Sequence, residues 1–170
     1  MPYIEYPECG RIINTHGCRG GVKVEPWCDS PAVFAARKTV YVKKGEALTP
    51  VRVRRAAVLS GRFVSAELEG VTTMEAADAL RGTVLYAKRS DLGIKEGALL
   101  VAEMIGLPVW DKESGKQLGT LSDVIHPGAT DIYVIATERG EAMVPVVPAF
   151  VDSVDIEKGI VLTPIEGMFP

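Results

Sequence analysis

The sequence predicts a mostly β protein built as two small barrel-like domains, and three observations carry that expectation. Short β-branched and aromatic runs, separated by clusters of Gly, Pro, Asn and Asp, recur along the chain. A polar stretch with two glycines, SDLGIKEG at residues 90–97, interrupts them near the middle. The charge changes sign there as well. Residues 1–89 carry 14 Lys and Arg against 9 Asp and Glu, a net +5, whereas residues 90–170 carry 5 against 13, a net −8. The expected organisation is therefore a first domain at 1–89, a linker at 90–97 and a second domain at 98–170. With 47% hydrophobic and 24% charged residues the chain has an ordinary globular balance. Domains of about 80 residues bury only about 60% of their extended-chain surface, so each folds with little stability to spare.

Taken in order, residues 9–13 (CGRII) and 21–27 (GVKVEPW) read as strands around a glycine-rich loop, NTHGCRG at 14–20. Residues 29–36 read as a short helix, with Ser30 as its cap and Pro31 in the first turn, where a missing N–H costs nothing. Residues 39–43 form a β-branched strand. Residues 50–70 form the clearest hairpin, turning at Ser60 and Gly61. Its outgoing strand places Val51, Val53, Ala57 and Leu59 on one face, with Arg55 an exception among them, and Val64, Ala66 and Leu68 alternate on the return. Thr72 and Glu75 have capping-box spacing for a helix at 73–80, and residues 83–88 read as a closing strand. This is the pattern of a small closed barrel, which removes open sheet edges.

In the second half, strands at 107–111 and 117–125 flank the turn cluster KESG, and HPGATD at 126–131 leads into a strand at 132–138. Residues 142–147, 150–156 and 159–164 supply three more extended pieces. Pro145 and Pro148 belong at strand ends or edges, where no N–H is demanded of them. The expectation is a second small barrel or a strongly curled sheet.

Composition excludes several classes. The longest apolar stretch, residues 143–151, has nine residues and two prolines, about half of what a membrane helix needs. The opening MPYIEYPECG has two glutamates and no basic region, unlike a secretory signal. Three cysteines, Cys9, Cys18 and Cys28, without close pairing favour a reducing compartment, so the expected location is cytoplasmic. They also lack the knuckle spacing of structural zinc sites, although Cys9, His16, Cys18 and Cys28 would supply the atoms. Ser122, His126 and Asp131 make a triad on paper, but no GxSxG elbow accompanies them. Neither a phosphate-binding GxxxxGK loop nor a GxGxxG fingerprint occurs. No enzyme activity, cofactor, metal or small-molecule substrate is expected. His16 beside Arg19 has two readings: a nucleic-acid or protein contact, or a residue pinning a tight turn that needs Gly17, Gly20 and Gly21. At 6% aromatic residues the sequence offers no stacking stripe of the kind found in single-stranded RNA binders.

Four stretches taken together, at residues 10–26, 67–86, 99–135 and 143–162, resemble the bacterial 16S rRNA processing factor family RimM. The first, GRIINTHGCRGGVKVEP, is similar to that family's opening signature; the second, ELEGVTTMEAADALRGTVLY, to its LEGV segment. The resemblance implies a six-stranded barrel of the translation-factor type followed by a PRC-type barrel. It implies association with the precursor small ribosomal subunit through a basic ribosomal protein of the subunit head, with direct contact to 16S rRNA left open. On the signature the candidate binding residues are His16, Gly17, Arg19, Gly20 and Lys23; Val22 also matches. Two positions depart from it: Cys18 replaces a usual leucine, and Gly21 a usual glutamate, which removes a charge and loosens the turn. Leu99 and Leu100 stand where family members commonly carry a tyrosine pair implicated in subunit binding. With Glu103 and Asp131 they complete the candidate set. Three rivals remain: a general translation-associated RNA-binding barrel, whose basic patch would include Arg52, Arg54 and Arg55; a small enzyme using His16 or His126; and a structural module of some other assembly, since PRC-type barrels are reused in unrelated settings.

Overall fold

The computed structural model describes residues 3–170, so the first two positions of the opening segment lie outside the described residues. The protein is mostly β and divides into two compact units, Ile4–Glu96 and Gly97–Pro170, the latter grouped with Tyr3. Each unit has its own apolar core.

The first unit is a closed barrel of six strands: β1 (Glu8–His16), β2 (Gly21–Pro26), β3 (Thr39–Lys44), β4 (Ala47–Val58), β5 (Val64–Leu68) and β6 (Val84–Tyr86). Around the barrel the order is β1-β2-β5-β4-β3-β6, with every pairing antiparallel. Alternation points Ile12, Val22, Val24, Val40, Val64 and Leu85 inward, all fully buried. Each such side chain contributes roughly 1.5–3 kcal/mol of burial. Phe34, from helix α1 (Pro31–Ala35), joins them. Pro31 occupies the first turn of α1 as expected. Ser30 stands at the cap position, but its side chain makes no capping hydrogen bond.

Three local expectations are corrected. β1 runs on to His16, so Asn14, Thr15 and His16 belong to the sheet rather than to the loop. Helix α2 (Met74–Ala79) is capped by Thr73, whose hydroxyl accepts the Ala76 N–H at 3.1 Å. That shifts the frame by one residue from the expected Thr72–Glu75 box and leaves Glu75 one position short of the box partner. The third concerns β4, whose pairing with β5 shifts register between Val53 and Arg55. The bulge turns Arg54 and Arg55 outward together and resets the alternation, so Ala56 packs toward the core and Ala57 is exposed. Arg55 is thus no exception on an inward face. The shift sits where β4 leaves β3 and joins β5, the bend that barrel closure requires.

The second unit is a six-stranded sheet of β7 (Pro108–Asp111), β8 (Gln117–Ile125), β9 (Ile132–Thr137), β10 (Gly140–Pro145), β11 (Val151–Asp155) and β12 (Gly159–Leu162). The order is β10-β9-β8-β7-β12-β11, with β7 and β12 parallel and the other neighbours antiparallel. Val109, Leu121, Ile135, Val144, Ile160 and Leu162 form its dry centre. Close approach at the parallel pair depends on Gly159, where an added Cβ would run into the Pro108 carbonyl oxygen. A one-turn helix, α3 (Val101–Met104), precedes β7 and was not foreseen in the sequence. Leu92 is buried and Ile94 packs against the first core, so the polar stretch at 90–97 is tied down at its apolar positions.

Candidate binding surfaces

The β1–β2 turn is the first candidate. His16 ends β1 opposite Gly21, and residues 17–20 reverse the chain between them. Gly17 (φ 75°) and Gly20 (φ 93°) lie in the left-handed region that side chains disfavour. Gly20 is needed for a second reason, because a Cβ there would run into the Val71 carbonyl oxygen. Gly21 is also constrained: a Cβ on it would meet the His16 carbonyl oxygen. The glycine at this position therefore tightens the turn, contrary to the loosening expected from the sequence.

Folding brings this turn over β4 and β5. A cleft of about 420 Å³ forms there, lined among others by His16, Cys18, Arg19, Arg55, Ser65 and Glu67. Of the expected residues, His16, Gly17 and Arg19 line it together. Gly20 is buried and structural. Lys23 leans elsewhere on the wall, its ammonium 4.3 Å from the centre of the Phe63 ring. Ser65 and Glu67 were not anticipated. Arg55 and Glu67 are register partners across β4 and β5, and both line the cleft. Two adjacent arginines breaking an alternating pattern were the signal that could have exposed the bulge and this pairing.

The second candidate is the start of α3. Leu100 is its cap residue, and the Glu103 carboxylate accepts the Leu100 N–H at 2.8 Å. Glu103 is only 8% exposed, so this carboxylate serves the local backbone. Leu99 packs partly against the second core, and Leu100 is half-buried. Val101 and Ile105 remain exposed, extending an apolar surface along the same segment. Asp131 lies in the turn between β8 and β9, where its carboxylate meets His126 Nδ1 at 2.7 Å; both side chains are about half exposed. Burial, assisted by the nearby Asp131 charge, raises the Tyr133 hydroxyl above its usual pKa.

Of the triad that the sequence allows on paper, hydrogen bonding joins only His126 and Asp131. The Ser122 hydroxyl donates to the Val134 carbonyl at 3.0 Å, which commits its proton to the sheet. Cys9 is buried in the barrel while Cys18 is exposed on the turn. Among the described residues no group of three His, Cys, Asp or Glu is placed to hold a metal ion. None of the described helices is long and apolar enough to cross a membrane.

Electrostatically the units differ. Residues 4–96 carry 15 Lys and Arg against 11 Asp and Glu, and residues 97–170 carry 4 against 11. An acidic surface repels a phosphate backbone and attracts a basic protein.

Comparison with known proteins gives a consistent result. Residues 8–92 match the RimM N-terminal domain, and residues 101–168 match the RimM PRC barrel domain. A protein named ribosome maturation factor RimM from Clostridioides difficile is 34% identical over 164 residues, which cover 94% of this chain and 93% of the relative. Proteins of the same name from Ruminiclostridium cellulolyticum and Lactobacillus delbrueckii subsp. bulgaricus are 32% and 33% identical. The first alignment covers 92% of each chain, and the second 91% of this chain and 93% of the relative.

Proposed function

The chain belongs to the RimM family, and from that premise we propose that it is a maturation factor of the small ribosomal subunit, acting in the cytoplasm without bond chemistry of its own. The observation that carries this reading is the alignment of both units, in order, with the two RimM domains and with relatives named ribosome maturation factors. Its immediate target is the immature subunit, reached through a basic ribosomal protein of the subunit head, and it assists 16S rRNA processing and head assembly there.

The second unit suits that docking. Its excess of carboxylates complements a basic partner and speeds encounter. Leu100, Val101 and Ile105 offer apolar area that a partner can desolvate. Leucine at positions 99 and 100 keeps the apolar part of the contact and gives up the hydroxyls of the usual tyrosine pair. The mechanism is differential binding. A factor that holds the near-mature head tenfold more tightly than misfolded arrangements shifts the balance by about 1.4 kcal/mol. Release follows when later contacts compete for the same surface.

Co-sedimentation of the intact chain with precursor and mature small subunits tests the reading. Retention on precursors, weak retention on mature subunits, and loss of retention in a Leu100→Asp variant that still folds are expected. Equal retention on both subunits, or none on either, would refute it.

A further inference from the structure

The barrel gathers aromatic side chains that lie far apart in the sequence. Tyr41 pairs with Tyr86 across β3 and β6, and Pro50 stands opposite Tyr41 on β4. Their neighbours Val40, Leu85 and Ala87 are fully buried, so alternation turns Tyr41 and Tyr86 to the outside of the barrel. Tyr6, just before β1, sets its ring edge-on to Tyr41, with centroids 5.0 Å apart and planes at 70°. All three tyrosines are half-buried: packed enough to be held, open enough to be covered.

Cations rim this surface. The Lys43 ammonium lies 5.7 Å from the centre of the Tyr86 ring. Lys88, two residues along the chain from Tyr86, is exposed, and Arg52, opposite Thr39, is exposed beside the same strand. Glu8 lies opposite Tyr86 at the β1 edge, and Glu69 lines a small cleft with Arg52.

We propose that this wall of the barrel is a stacking platform for single-stranded RNA, separate from the β1–β2 turn cleft. Bases lie on the tyrosine rings, and the phosphates run along Lys43, Lys88 and Arg52, away from Glu8. The chemistry selects nucleic acid over an apolar peptide because stacking surface and cations occur together, and every base has a π-face for a ring to meet. Single strands are selected over duplex because only unpaired bases expose those faces. The inference goes beyond the ribosomal reading, since its ligand is RNA free of any ribosomal protein.

The test is fluorescence anisotropy of the intact chain with a labelled single-stranded RNA of about ten nucleotides, alongside a duplex of equal length. Binding to the single strand with little binding to the duplex is expected. Tyr86→Ala and Tyr41→Ala should each weaken it roughly 5- to 150-fold, whereas Tyr86→Phe, which keeps the ring, should stay near the parent. Lys43→Gln should lower the slope of log affinity against log salt by about one. Its surface position makes it a variant that folds even if an alanine at a half-buried tyrosine does not. No binding of the single strand would overturn the proposal, as would equal affinity for the duplex, or parental affinity and salt slope in all the variants. Tyrosine-dependent binding of a proline-rich peptide in place of RNA would overturn it too. Precursor-subunit retention is a separate readout, so the two readings fail independently.

Discussion

Cys9 and Cys28 sit together beneath the start of the barrel, with the Cys28 thiol donating to the Cys9 carbonyl at 3.4 Å. Burial, reinforced by the neighbouring Cys28, pushes Cys9 from an ordinary 9.0 up to about 12. Burial likewise lifts Cys28 to about 11, against a smaller opposing pull from Arg37. Both thiols are neutral, apolar fillers at physiological pH, which is the opposite of what a nucleophile needs. The sign of the linkage follows. Above about pH 9 the unfolded chain gives up these protons while the folded chain keeps them, so stability falls as pH rises. Below that value both states are protonated and the contribution is fully present. Urea titrations should therefore show stability dropping between about pH 9 and 11, with a shallower drop in a Cys9→Ala, Cys28→Ala double variant. Identical slopes in the two proteins would mean that the thiols do not sense folding. Cys18, exposed on the turn, should meanwhile react with a thiol reagent in the native protein, ahead of the other two.

Among the elements, α3 depends on one side chain. Its four residues cannot sustain a helix by propensity, and the Glu103 carboxylate ties the Leu100 N–H that would otherwise be left open at the N-terminus. Glu103→Ala should cost about 1 kcal/mol and speed hydrogen exchange at Leu100 and Glu103, while Glu103→Gln, which keeps an acceptor oxygen, should cost less. Equal exchange in both variants would show that the carboxylate does not hold the turn. This helix was illegible in the sequence for a physical reason: one turn is too short to display a period, and its cap is a leucine. Strands were legible where one face is buried and one is wet, as in β2, where Val22 and Val24 alternate with Lys23. They were misread where a bulge resets the alternation, as at Arg54 and Arg55 in β4. The candidate site was legible only in part. The glycine signature located the β1–β2 turn, but Arg55, Ser65 and Glu67 reach its cleft through barrel closure, and Tyr6, Tyr41 and Tyr86 meet on the outer wall through strand order. Both are long-range pairings that local spacing does not encode.

At the scale of the whole molecule, two separate cores carry two surfaces of unlike charge, and a core change in one unit should disable one surface alone. Leu162, on β12, is fully buried in the second core. Replacing it with alanine removes buried methyl groups and leaves a cavity, a loss of about 2–5 kcal/mol. A unit of about 74 residues (Gly97–Pro170) has roughly 4–11 kcal/mol of stability in all, so the change takes a large share of it. Leu162→Ala should accelerate amide exchange throughout β7–β12 and abolish retention on precursor subunits at physiological temperature. Exchange in β1–β6 and the affinity for single-stranded RNA should stay near the parent values, because the first core, with Ile12, Val24 and Leu85 at its centre, is built without that side chain. If exchange rises in the barrel as well, the two units fold as one cooperative body and the division of labour by charge must be given up. If RNA affinity falls while the barrel stays protected, the RNA surface draws on the second unit, and the tyrosine wall is not sufficient by itself.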